Sequence, residues 1–193
     1  MSSIGKNNIV FGFIYLFFTA ALGPVMILYY FDDVAVAEAA KQEKMGVLQV
    51  AAANDFEVNL EKMTAEQIGK ANTAALLALS ANLNSEAPID AIKSGPHTHG
   101  NLEALLNIVV GLVLGFLAVP ALFKHIISWV FIVGALGHSG LLYLAVALGL
   151  PWAVTLLASP VGYIGPSLIL LGLLLTGIAA AIGYKGRLVT DGS

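Results

Sequence analysis

Four stretches of this chain, residues 9–31, 102–123, 126–150 and 161–184, each reach the roughly 20 consecutive apolar residues that carry a helix across the hydrocarbon core of a bilayer. That feature constrains the fold before any other. It predicts an all-α, polytopic membrane protein with four transmembrane helices. Composition enters as a check: 58% of residues are hydrophobic and 11% charged, against about 25% charged in a soluble domain. So much apolar surface cannot be hidden in one core, and an ordinary soluble enzyme is excluded.

The first run follows Lys6, and Ala35, Val36 and Ala37 after it look like a signal-peptide cleavage site. Its uncharged length exceeds the roughly 7 to 15 residues of a signal core, so residues 1–31 read as a retained N-terminal anchor. Residues 32–101 then form an exterior segment, residues 102–184 a three-helix transmembrane bundle, and residues 185–193 a tail. Between residues 32 and 95 ten acids stand against five lysines, while the rest of the chain is net positive. Lysine and arginine in short loops mark the cytoplasmic side, and Lys6, Lys124, Lys185 and Arg187 fall on one side of four spans. Both termini are therefore expected in the cytoplasm, in a bacterial inner membrane, with the acidic segment in the periplasm. Trp152 and Tyr163 suit the outer aromatic belt, and Trp129 and Tyr184 the inner one.

Asp32 and Asp33 end the first span, and residues 34–53 extend as helix with Gly46 a weak point. Thr64 with Gln67 makes a capping box. Beyond it Ile68, Ala71, Ala75, Leu76, Leu79 and Leu83 share one helical stripe. Phe56, Val58 and Leu60 alternate as a short extended stretch would. The segment is expected to be an extramembrane helical cap between the first two spans, with residues 85–96 the hinge back to the membrane.

The absence of cysteine excludes disulfides, thiolate zinc sites, iron–sulfur clusters and covalently attached haem. No basic block favours nucleic acid. Candidate chemistry gathers at the start of the second run, where His99, Glu103 and Asn107, spaced by four, form a polar stripe on one side of a helix. In the third run His138 lies among Gly134, Ala135, Gly137 and Gly140, with Tyr143 nearer the exterior. Ionisable groups inside a membrane mark a functional site by default, and Glu103, Asn107, His138 and Tyr143 are expected to converge, with Asn107 level with His138.

Two chemistries fit. One is haem b, with an imidazole as axial ligand and the small residues around His138 leaving room for the macrocycle. His99 and His138 differ in counted depth by roughly 15 Å, so only one of them is expected on any one iron. The other is copper, zinc or iron near the outer mouth, held by His97, His99 and Glu103. Each group also has a plainer reading: His97 as a loop residue, His99 as interfacial, Glu103 as snorkelling, and His138 and Asn107 as helix-packing partners. Gly111 and Gly115 read more readily as packing than as ligand space.

The pattern of His99 followed by Asn107, then Gly140 and Tyr143, then Gly165-Pro166 resembles styrene oxide isomerase-like membrane proteins over residues 97–184. The resemblance implies a four-span fold with haem b on His99. It further implies Asn107 and Tyr143 holding an epoxide oxygen against a Lewis-acidic ferric iron, for redox-neutral isomerisation to an aldehyde. The chain differs from that pattern in a longer histidine-to-asparagine interval, in lacking an acid in the third run and in its long exterior insert. The sequence thus points to a haem- or metal-binding membrane protein for redox, electron-transfer or Lewis-acid chemistry, with His99 and His138 as cofactor ligands and Glu103, Asn107 and Tyr143 as catalytic groups. The alternative is a non-catalytic accessory or scaffold subunit of a larger membrane complex, whose exterior segment docks a partner. Small-residue rows on the second and fourth runs favour homo-oligomers. A complete proton channel is disfavoured, because the inner half of the second run carries no polar group.

Overall fold

The first apolar run does not end where its charges begin. In the computed structural model, which describes residues 3–58 and 61–189, helix α1 extends over Ser3–Ala53, through Asp32, Asp33 and Gly46. Ala, Glu, Lys and Gln dominate the stretch after Val34, and their high helix propensity carries the helix onward. Pro24 lies inside it; lacking an N–H, it leaves the Ala20 carbonyl without its usual helical donor.

A two-residue antiparallel pair follows, β1 Glu57–Val58 against β2 Glu61–Lys62, with Glu57 opposite Lys62. Leu60 lies outside the described residues. Helix α2 then spans Ala65–Ile92, a π-helical turn Lys93–His97, and α3 Thr98–Leu114. Helix α4, Ala121–Ala135, continues through two π-helical turns, Leu136–Gly140 and Tyr143–Ala147. The short α5, Pro151–Leu157, a 3₁₀ turn at Pro160–Tyr163 and α6, Ile164–Gly183, complete the order. Apart from the β pair, the regular structure among the described residues is helical.

Three helical segments are long and apolar enough to cross a membrane, Ile4–Ala53, Ala121–Ala147 and Pro160–Gly183, rather than the four expected. The second run, expected over residues 102–123, ends as helix at Leu114 after 17 residues. The cause is local. Gly115 to Pro120 leave the helix and pair with the segment after α6: Ala118 N–H donates to Gly183 O (2.7 Å), Lys185 N–H to Phe116 O (3.1 Å) and Val189 N–H to Gly115 O (2.8 Å). Pro120 then caps α4. Hydropathy registers none of this, because the link itself is apolar. The hinge expected over residues 85–96 is likewise narrower: α2 runs through Pro88, and the backbone leaves helical angles at Gly95 alone, with φ −93° and ψ −107°. The following Pro96 disfavours the helical region for its predecessor.

The chain divides into two compact units, one comprising the described residues up to Gly23 and from Ala91 onward, the other Pro24–Asp90. In the first, Ile4, Val110, Leu114, Leu117, Ile127, Phe131, Ala135, Ile169 and Ala179 form a buried apolar cluster. Its outward side chains are apolar too: Phe17 is 70% exposed, Leu122 72% and Ile182 71%. Such an exterior suits lipid rather than water, and the protein is membrane-embedded. Helices pack closely at glycines. A Cβ on Gly5 would meet the Gly111 carbonyl oxygen at 2.2 Å, so α1 and α3 touch backbone to backbone at that level. Lys124, expected in a short cytoplasmic loop, instead lies in the first turn of α4 and is 1% exposed.

In the second unit the capping box forms as expected. Thr64 N–H donates to Gln67 Oε1 (2.7 Å), and Gln67 N–H donates to Thr64 Oγ1 (3.2 Å). Lys41 donates to Asn82 Oδ1 (2.8 Å), and Asn82 Nδ2 donates to Glu86 Oε1 (3.1 Å). Ala75, Leu76 and Leu79 of the predicted stripe line a groove with Met45 and Leu48. Thr64→Ala is expected to destabilise the start of α2 by about 1 kcal/mol, read as faster amide exchange over its first turn, with Thr64→Ser retaining protection.

Candidate functional site

Two polar layers cross the first unit, and α1 contributes to both. In one, Asn8 Nδ2 donates to Asn107 Oδ1 (2.9 Å) and to the Ser128 carbonyl (3.1 Å), while Ser128 Oγ donates to Asn8 Oδ1. Asn107 Nδ2 also donates to the Glu103 carbonyl (2.9 Å). Asn8 and Asn107 have no exposed surface. This layer pins α1, α3 and α4 together and leaves Asn107 fully engaged away from His138.

The second layer holds the ionisable groups. Glu103, 3% exposed, receives His138 Nδ1 at 2.5 Å on Oε1 and the Ser139 hydroxyl on Oε2. Tyr15 of α1 bonds Ser139 Oγ at 2.8 Å. The rings of His99 and His138 lie 4.8 Å apart between centres, tilted by 59°. One donor atom from each of His99, Glu103 and His138 fits within 4.8 Å of the other two. His138 occupies the π-helical turn Leu136–Gly140, a local widening common at functional sites.

Several expectations change accordingly. His99 and His138, counted as roughly 15 Å apart in depth, are neighbours. Counting from Leu102 starts the second run too late: α3 begins at Thr98, and a π-helical turn precedes it from Lys93. Glu103, not Asn107, is level with His138; the inferred register was one turn off. Of the expected set His97, His99 and Glu103, the latter two lie together, and His138 is the third potential donor beside them. His97 Nδ1 instead lies 2.9 Å from the Thr19 carbonyl, which can only accept, so that nitrogen carries the proton. Tyr143 does not join the Glu103 cluster; it lines a neighbouring cavity of about 350 Å³. Gly111 packs on α1, as its helix-packing reading requires, whereas Gly115 lies at the end of α3.

Ser139 is a hydrogen-bond mate for His138 in the packing reading of the sequence, but hydropathy does not single out Tyr15, nor Asn8 and Thr19, whose hydroxyl donates to Asn101 Oδ1 (2.8 Å). A signal existed. Asn8, Tyr15 and Thr19 are spaced by seven and four along one face of the first, mostly apolar part of α1, the face that also carries Gly5 and Gly12.

The spacing of the two imidazoles bears on whether both could serve one centre. Imidazoles on opposite faces of a haem, with metal–nitrogen distances of ~2.0 Å, would hold their ring centres ~6 Å apart, whereas a tetrahedral pair on one ion would hold them ~5 Å apart. The observed 4.8 Å is the spacing of two imidazoles directed at one point and is too short for a haem held between the two rings. Two imidazoles and one carboxylate also leave a coordination position open. His97→Ala is expected to leave cobalt(II) affinity unchanged within about twofold, because an outer partner that matters costs about tenfold or more. No protein-family model matches this chain, and no curated protein or solved structure matches it either.

Proposed function

We propose that this is an integral membrane protein that binds one divalent transition-metal ion within the bilayer, through His99, Glu103 and His138, for Lewis-acid or redox chemistry. The observation that carries the reading is the approach of three donor atoms to within 4.8 Å of one another around a carboxylate that is 3% exposed. Charged groups are costly in the membrane and are retained for a task. Zinc, copper and iron all accept imidazole and carboxylate donors. When bound, the ion would polarise a substrate oxygen or exchange an electron. The chain's own residues do the rest: Ser139 and Tyr15 orient Glu103, and the apolar walls exclude water.

The reading includes four membrane crossings. Helix α3 is short for a span, but Gly111 packs on Gly5 and Gly100 on Thr19, so it runs antiparallel beside the apolar part of α1 over most of its length. The pairing of residues 115–118 with residues 183–189 supports one common side for the α3–α4 link and the end of α6. With the lysine and arginine distribution, this favours cytoplasmic termini in a bacterial inner membrane.

Titration of detergent-purified, metal-stripped protein with cobalt(II) tests the reading. One equivalent should bind with visible d–d absorption, displaceable by zinc, and His138→Ala should remove the signal. Folded protein that takes up no metal refutes it. The second reading is an accessory subunit whose polar groups only hold helices together. It is favoured by the fact that, among the described residues, no buried side-chain N or O atom lacks a partner. It predicts a flat titration and, for His138→Gln, altered melting without any spectral change.

A further inference from the structure

A cavity of about 350 Å³ lies beside the Glu103 cluster, lined by Tyr15, Phe18, Leu136, Gly140, Tyr143 and Leu144. Phe18 is 53% and Leu136 51% exposed, so its rim belongs to the apolar outer face, and access is from lipid. Its volume is at the small end of ligand sites. Tyr15 links it to the cluster through Ser139, and the direction of that link can be assigned. Ser139 Oγ has three partners: Glu103 Oε2, the Ala135 carbonyl at 3.3 Å and the Tyr15 hydroxyl at 2.8 Å. Ser139 Oγ is the donor toward both Glu103 Oε2 and the Ala135 carbonyl, and a carbonyl only accepts. The one Ser139 proton therefore goes to one of those two, and Tyr15 must donate to Ser139. With its proton committed, the phenolic oxygen at the cavity wall is left as an acceptor.

We propose that this cavity binds a small, membrane-soluble alcohol or phenol, an apolar body whose hydroxyl donates to Tyr15. Ketones, ethers and other pure acceptors lack the proton that this oxygen needs. The proposal needs Ser139 to donate to Glu103 Oε2, as it does here, with or without a metal bound. An acyl chain can fill the apolar walls but makes no use of the oxygen.

The test compares 1-naphthol with 1-methoxynaphthalene, nearly equal in shape, by equilibrium dialysis against protein-loaded nanodiscs with uptake by empty nanodiscs subtracted. The zinc-loaded protein should prefer 1-naphthol by about three- to tenfold, the range of one neutral hydrogen bond. Tyr15→Phe should equalise the probes. Ser139→Ala frees the Tyr15 proton and should collapse or reverse the preference without touching the cavity wall. Gly140→Val should weaken both probes, because even a Cβ there stands 3.4 Å from the Tyr15 hydroxyl. Equal affinities in the parent protein, no uptake above empty nanodiscs, or a preference that survives Tyr15→Phe each overturn the proposal. Cobalt(II) titration of the same preparations separates the two readings. Protein that takes up no metal yet prefers the phenol refutes only the metal site, and metal-loaded protein that treats both probes alike refutes only the cavity.

Discussion

Glu103→Ala is expected to abolish cobalt(II) binding and to destabilise the protein by about 2–4 kcal/mol, while Glu103→Gln abolishes binding at much smaller cost in stability. The alanine variant removes the acceptor for both His138 Nδ1 and Ser139 Oγ, and each buried polar group left unpaired costs about 1–3 kcal/mol. Ser139 retains the Ala135 carbonyl, which holds the sum below the upper limit. Glutamine keeps the length and one acceptor oxygen, so most of the polar layer survives, but it withdraws the anionic donor. The loss of metal affinity in both should exceed the ~100-fold that outer partners of a metal site contribute. Unfolding in detergent gives the first quantity and the d–d band the second. A Glu103→Gln protein that binds cobalt(II) like the parent removes the carboxylate from the donor set, whatever its melting behaviour.

What sequence reveals here divides along physical lines. Local chemistry is legible: Thr64 and Gln67 cap α2 as their spacing requires, because a capping box involves only residues three apart. Apolar runs reveal membrane-crossing helices for the same reason, and Glu103 and His138 stood out because ionisable groups are rare in such runs. Register between helices is less legible. Depth was counted from the expected ends of runs, yet the second run is helical from well before Leu102 and stops at Leu114, so its neighbours shift by a turn. The π-helical turn at Leu136–Gly140 adds a rotation that a constant 3.6-residue period cannot carry. Hydropathy makes the start of α1 a plain anchor: it averages away Tyr15 and Thr19, and Asn8 lies just before the apolar run. Those residues mark its inward face and supply one wall of both polar layers.

A large packing effect is expected at Gly165, where a Cβ would stand 2.4 Å from the Gly137 carbonyl carbon and 2.4 Å from the His138 amide nitrogen. Those are backbone atoms that cannot rotate aside, so Gly165→Ala must separate α6 from α4. Overpacking of this kind costs about 1–3 kcal/mol, at a site where the displaced segment carries His138. Stability and cobalt(II) affinity should therefore fall together, although residue 165 bears no donor atom. Gly177 is the control on the same helix: nothing lies within 4 Å of its added Cβ, and alanine there should be neutral or stabilising by up to about 1 kcal/mol through helix propensity. If Gly165→Ala melts and binds cobalt(II) as the parent does, α4 and α6 are not in backbone contact at this level. The π-helical turn would then need another support for holding His138 against Glu103.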